Sequence, residues 1–427
     1  MKTSIRYIVY FYLWTPFVFA QVSVDKNFTN EGDFIVLEGA ILSSDYPFEN
    51  TLSGNFENRG NIYFYQDFKN DNLFYPGVSV TRSKVYFSSL GTPRIINISG
   101  TKLSEFQDIE FDNTEQPYSF LLSNEIAVQG ESTFISGVIK VVDKEGMFTF
   151  LPDSKTSKVS DYSHVEGEVE KIGKNGFQYP IGDKNFFRPA SISAPKEVED
   201  AIVTQYYLED HAFFDTHKIT SGVIHTLNEK EYWRLEGKLK SSKNIVLSLS
   251  WDDRTTPPEL LKDPENELHI VRWDAHKQLW VDEGGVVDMS SKRITTVSEI
   301  KDFGYFTLAT VKKDWVLDGD VVIYNLVTPD GDGKNDYFII DNIKKYPNNR
   351  VEIYNRWGVK VYETTNYDPL GDGSTNVFTG YSEGKITVDK SKKLPSGTYY
   401  YVVTYEYTDA NGSRMIKKAA NLHLETN

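Results

Sequence analysis

The sequence predicts an all-β protein in three parts: an N-terminal β-solenoid-like or sandwich region, a middle antiparallel β-sandwich, and a small C-terminal Ig-like β-sandwich. Three observations carry this. The chain holds 27 Tyr, 26 Phe and 7 Trp, side chains that fill half-buried pleated surfaces. Helix-forming runs of Ala, Leu, Glu and Lys are scarce. Short alternating runs are instead punctuated by Asn, Gly and Pro at close intervals. At 427 residues the chain exceeds the size at which one core stops growing. The expected divisions are a signal peptide over 1–20, a repeat-like β region over 21–160, an antiparallel sandwich region over 161–313 and a last domain over 314–427.

The N-terminus reads as an export signal. Lys2 and Arg6 lead into the apolar stretch Tyr7 to Phe19, and Val18-Phe19-Ala20 before Gln21 places small residues where signal peptidase cuts. A membrane anchor needs about 20 apolar residues and a stop-transfer flank, and Pro16 with the early cleavage site argues against it. No later segment has the length and apolarity of a span, so the mature chain is expected to be soluble or held at a surface by protein contacts. Zero cysteines exclude disulfides, thiolate metal sites and thiol catalysis. A formal charge of −15 disfavours nucleic acid and anionic membranes as partners, since both attract basic patches.

The first region carries an internal echo. Phe28-Thr29-Asn30-Glu31-Gly32-Asp33-Phe34 and Phe56-Glu57-Asn58-Arg59-Gly60-Asn61-Ile62 share aromatic, any, Asn, any, Gly, polar, apolar. Each reads as a strand, a turn tolerant of positive φ, and a second strand. Further strands are expected at Lys84 to Phe87, Arg94 to Ile98, Asp108 to Phe111, Tyr118 to Leu122 and Phe134 to Val142. Stacked β coils and a β-sandwich both satisfy this pattern.

Val165 to Gly173, Phe177 to Asp183 and Phe187-Arg188-Pro189 alternate strand residues with Gly and Pro. They specify tight turns, with Arg188 expected to pair with Asp183. This segment resembles one recurring in large Bacteroidetes surface proteins. From about Pro195 to Thr310 the strands lengthen, as in Ile245 to Trp251, His269 to Trp273 and Gly304 to Ala309, separated by polar loops such as Asp252 to Glu267. This suits an antiparallel sandwich. Trp233, Trp251, Trp273 and Trp280 are expected as fillers between sheets, with a sugar-stacking platform as the alternative.

After the short charged junction Lys312-Lys313-Asp314-Trp315, three blocks follow in order. They are Asn325-Leu326-Val327-Thr328-Pro329-Asp330-Gly331-Asp332-Gly333-Lys334-Asn335-Asp336, then Val351-Glu352-Ile353-Tyr354-Asn355-Arg356-Trp357-Gly358, then Leu394-Pro395-Ser396-Gly397-Thr398-Tyr399-Tyr400-Tyr401. The middle block predicts a hairpin through Val359 to Tyr362. The last leads into a long aromatic strand, Tyr399 to Tyr407, turned back at Asp409-Ala410-Asn411-Gly412 through Ile416 to Leu424. The blocks resemble the gliding-motility-associated C-terminal domain of Bacteroidetes, the type B sorting domain of type IX secretion. Phe378-Thr379-Gly380 stands where that family usually has Trp-Asp-Gly, and Asn421-Leu422-His423-Leu424 where a Gly-rich strand ending in Arg is common.

The resemblance implies passage by the general secretory route, then translocation by the type IX machinery, then docking on an outer-membrane β-barrel of the PorP/SprF type. Tyr354, Arg356 and Trp357 are docking candidates, with a role in fixing the hairpin as the alternative. Asp330, Asp332, Asn335 and Asp336 offer oxygens spaced by glycines, as in a calcium loop. Lys334 and the missing bidentate Glu favour an ordinary turn instead, so calcium is the one cofactor in view.

No nucleophile elbow, phosphate loop or dinucleotide fingerprint occurs. His211, Asp215 and His217 lack zinc spacing, and the acids are dispersed. The expectation is therefore a non-catalytic protein at the cell surface, adhesin-like, structural or an adaptor, connected with gliding motility, whose other partners are a surface polysaccharide or another adhesin. The competing reading is a carbohydrate-binding or carbohydrate-degrading exoprotein using the same exit.

Overall fold

The computed structural model describes residues 26–426 apart from 78–81, 92, 115–117, 143, 222–223, 239–244, 297, 301, 312–320, 383–392 and 410–411. The expected signal peptide, the junction Lys312 to Trp315 and the turn residues Ala410-Asn411 fall outside these. Among the described residues no helix is long and apolar enough to cross a membrane.

Of the two architectures open for the N-terminal region, the chain adopts the solenoid, of about six turns. Each turn lays one strand on each of three faces. The first face runs from Phe28–Asn30 to Val165–Glu166 in seven parallel strands, and the third from Ile41–Ser44 to Lys155–Ser157 in six. Inward residues repeat from coil to coil, so Phe28 lies in register with Phe48 and Phe48 with Phe68. On the second face Phe34, Phe56 and Phe74 stack with centroids 5.0 and 4.8 Å apart. On the third, Phe64, Phe87 and Phe111 stack at 5.7 and 5.9 Å. Such offset ring pairs add to the area they bury.

Polar groups at one corner follow the same stacking. Asn30 Nδ2 donates to Asn50 Oδ1 at 2.8 Å, Asn50 Nδ2 to Asn70 Oδ1 at 2.7 Å, and Asn70 Nδ2 to Ser104 Oγ at 3.0 Å. Asn50 and Asn70 are fully buried. Inside a coil each unpaired amide would cost about 1–3 kcal/mol, and the ladder removes that cost rung by rung.

The echo between Phe28 and Phe56 proves to relate corners rather than whole coils. Phe28 is on the first face and Phe56 on the second. Asn30 and Asn58 do the same local work, each carboxamide oxygen accepting the N–H of the glycine two residues on, Gly32 at 3.4 Å and Gly60 at 3.0 Å. The expected strand Phe134 to Val142 is broken in two, Glu131–Ser136 and Ile139–Val141, because Gly137 turns the corner between faces at φ 100°.

The second face does not end with the solenoid. Val169–Ile172 pairs in parallel with Met147–Phe150 on one side and antiparallel with Ala201–Leu208 on the other. That strand continues through Glu231–Lys238, Gly304–Val311, Leu268–Asp274 and Leu279–Gly284, making a single 13-stranded sheet. A separate five-stranded sheet runs from Phe177–Gln178 to Val286–Asp288, with Ile192, Leu249 and Ile294 in the same core. One apolar cluster runs from Val36 to Leu308 through both parts. The last coil therefore meets a paired strand rather than water, which removes an exposed edge. Trp233, Trp251 and Trp280 are buried in this region and Trp273 is half-buried.

The expected pair of Arg188 with Asp183 does not form. Arg188, 1% exposed, instead bonds Glu231 Oε2 at 2.7 Å, with Ser250 and Thr255 as further partners and the Tyr206 and Trp233 rings at 5.5 and 5.3 Å. Glu231 also accepts from Tyr206 and Thr256 at 2.6 Å and from Asn228 at 3.0 Å. Asp183 accepts the Leu208 N–H at 3.0 Å. The buried guanidinium took the partner that satisfied most of its donors.

The C-terminal part has its own core, from Val321 to Leu424. Its five-stranded sheet orders Leu326–Val327, Gly412–Leu424, Gly397–Asp409, Asn349–Tyr354 and Lys360–Thr365. The pair Val322–Ile323 and Ile340–Asp341 lies apart from it. Both expected hairpins are present, the long one in register from Gly397 opposite Leu424 to Asp409 opposite Gly412. Leu326–Val327 joins parallel to the sheet edge, so the sheet is mixed there.

Candidate functional site of the C-terminal unit

Three features of this unit form the candidate site, two of them carrying residues singled out by sequence. The first is the loop after Leu326–Val327. Gly331 and Gly333 take φ of 83° and 85°, and Asn335 follows at 53°, values that glycine adopts freely and Asn tolerates. The curl brings one carboxylate oxygen each from Asp330, Asp332 and Asp336 within 4.8 Å of one another. Those oxygens already serve the loop: Asp336 accepts the Gly331 and Gly333 N–H groups at 2.6 and 2.8 Å, Asp330 that of Asp332 at 3.1 Å, and Asp332 that of Lys334 at 2.8 Å. Asn335 contributes its backbone carbonyl, which accepts the Thr328 N–H at 2.8 Å. Both the turn and the calcium loop expected from the sequence fit this arrangement.

A second loop of like construction escaped the sequence reading. Asp368, buried and at φ 44°, accepts the N–H groups of Gly371, Asp372 and Gly373 at 3.0, 3.1 and 3.1 Å on one oxygen. A Cβ on Gly373 would lie 2.1 Å from the Tyr337 ring, directly after the first loop. Burial, then the charges of Asp368, Asp341 and Asp372, pushes the Tyr337 phenol above its usual range. The signal was the Asp-Pro-Leu-Gly-Asp-Gly run at 368–373. Nearby, Phe378 is buried against Tyr362 with centroids 5.1 Å apart.

The third feature is the short hairpin. Asn355 Oδ1 accepts the N–H groups of Trp357 and Val359, both at 3.0 Å, and Gly358 at φ 74° completes the turn. The three docking candidates part company here. Trp357 is 70% exposed, with the exposed Arg356 guanidinium 4.3 Å from its ring centroid. Tyr354 is buried, packed with Val402, Tyr400 and Ala419 against Val286 of the middle region. Burial, then Glu352, pushes its phenol well up, and the hydroxyl donates to Glu352 Oε1 at 3.1 Å.

That contact is one part of a seam to the middle sandwich. Lys417 Nζ lies 3.3 Å from Glu283 Oε2, and Arg272 Nε donates to Glu283 Oε1 at 2.9 Å. Next to it, burial would raise the Asp282 carboxyl, yet His269 at 2.9 Å and the Gly284 N–H hold it below its usual range. Among the other sequence candidates, His217 stacks on Phe213 at 4.0 Å and meets Trp273 at 4.5 Å, an aromatic packing role.

The chain matches no curated protein and no solved structure. Its C-terminal unit does match a family. Residues 321–419, which span the two Asp/Gly loops, the short hairpin and most of the long one, match the CHU_C type IX secretion signal domain, so the chain carries a C-terminal sorting domain of that export system.

Proposed function

We propose that this protein is an adhesin-like or structural component held at the cell surface, the sorting domain docking on an outer-membrane β-barrel while the solenoid and sandwich form a non-catalytic payload. The sorting domain marks the chain for export out of the cell by the type IX system. The observation that carries the proposal is that this domain builds a core of its own beside a payload of stacked coils. An address that folds by itself can be read without unfolding its cargo. Trp357 with Arg356 supplies an exposed aromatic and cationic anchor, the residue types enriched at contact centres. The expected signal peptide fits the first membrane crossing. A link to gliding belongs to the same proposal, and the fit of long solenoids to extended contact surfaces supports it.

The test is made in the native host. Full-length protein is expected on intact cells by surface labelling, and one barrel protein is expected to co-purify from outer membranes. Trp357→Ala should reduce that capture while leaving the fold intact. Loss of neither display nor capture on deleting residues 321–427 would sink the reading.

A further inference from the structure

The third solenoid face turns a column of side chains outward, and its middle is unlike the rest of the coil. Ser43, Tyr63, Tyr86 and Glu110 occupy one register line on successive strands. Tyr63 and Tyr86 stack face to face, 4.3 Å between centroids and 5° between planes, with Tyr65 near-parallel at 6.3 Å. Ser43, small and exposed, stands beside Tyr63 on this line, and among the described residues the rings adjoining Tyr63 are Tyr86 and Tyr65. These rings line a concavity with Ser88, Glu110 and Asp112. Glu110 is held by Lys84 at 2.7 Å, whose Nζ sits 5.0 Å from the Tyr86 ring. Burial, then Tyr63, pushes the Tyr86 phenol up to about 12, so its hydroxyl remains a donor at any physiological pH.

We infer that this groove binds a neutral polysaccharide, with the tyrosine rings stacking on sugar C–H faces and Glu110, Asp112 and the phenols bonding sugar hydroxyls. The chemistry selects the occupant. A protein-binding centre is depleted of charge, whereas Glu110 and Asp112 stand beside these rings. A polyanion meets Glu110 and Asp112 and a chain of charge −15, which repel it. A polyol suits both parts: ring faces give apolar contact, and carboxylates accept hydroxyl protons in short, strong bonds. The inference rests on the adhesin reading, since it names what the payload would hold.

Purified residues 21–427, run in native gels containing hydroxyethylcellulose, laminarin or dextran, should be retarded by at least one of them and not by alginate. Tyr63→Ala and Tyr86→Ala should each weaken that retardation at least fivefold. Tyr63→Phe, which keeps the ring, should retain most of it and guards against a folding defect in the alanine variants. Absence of retardation in all three neutral gels overturns the inference, as does equal retardation of wild type and both alanine variants, or retardation by alginate alone. Because the assay uses isolated protein, its failure leaves export and surface attachment untouched, and those fail separately in the native host.

Discussion

Arg188 and Glu231 are each nearly sealed from solvent, at 1% and 0% side-chain exposure. Removing one partner leaves the other charged and buried, so Arg188→Met should cost about 3–5 kcal/mol. The double variant Arg188→Met, Glu231→Leu should recover part of that loss in denaturant unfolding. Lysine at 188 should rescue little, since it lacks the planar fork that reaches several acceptors. Glu166, 1% exposed, gives a pH-dependent counterpart. Burial alone would raise its carboxyl, but His164 with Nε2 at 3.7 Å, the Asn185 N–H at 3.0 Å and Lys140 at 3.2 Å hold it at about 2. A lowered folded value means its contribution is full above the unfolded value of 4.5 and fades as pH falls toward 2. The loss over that window is of the order of 3 kcal/mol, at 1.36 kcal/mol per unit. Melting of wild type should therefore fall more steeply between pH 4.5 and 2 than melting of Glu166→Gln.

At the scale of elements, the asparagine ladder depends on a glycine. A Cβ on Gly54 would lie 2.2 Å from Asn50 Oδ1 and 2.5 Å from the Asn30 carbonyl. Gly54→Ala should thus displace Asn50 from its bonds, which include one to the Leu73 carbonyl at 3.0 Å, and cost about 2 kcal/mol or more in unfolding experiments. The same corners show what a sequence reveals. Asn and Gly announced the bends at Asn30 and Asn58, because each is made by a carboxamide oxygen and a glycine two residues on. Coil register stayed hidden, because Phe28 resembles Phe56 through shared turn chemistry while its actual neighbour is Phe48. In the sorting domain both hairpins were legible from Asn355 to Gly358 and from the long aromatic strand. The burial of Tyr354 was not, since Val286 lies in another region and leaves no mark near residue 354. Arg188 failed to predict its partner for the same reason. Trp357, by contrast, contacts little, and Trp357→Ala should shift stability by no more than about 0.5 kcal/mol. Any loss of barrel capture in that variant would then report on binding itself.

For the whole molecule, the seam between sandwich and sorting domain sets an expectation for truncation. Deleting residues 321–427 removes Lys417 from Glu283 and uncovers Val286. The shortened payload should still unfold cooperatively in calorimetry, a few degrees lower than in the full chain, because its main core lies between Val36 and Leu308 and loses no member. In the native host the same deletion should leave the payload inside the outer membrane, detectable by fractionation.

The shared 13-stranded sheet would have a mechanical meaning if the proposed docking holds the protein at one end. Tension entering through the anchored tail reaches the coils by way of backbone hydrogen bonds common to both regions, with no linker to stretch between them. Val169–Ile172, parallel on one side and antiparallel on the other, is a rung that carries such load from the sandwich to the coils. Under a pulling force, the coils and the sandwich would bear load as one body, and rupture would be expected at the seam to the sorting domain before the coils unwind.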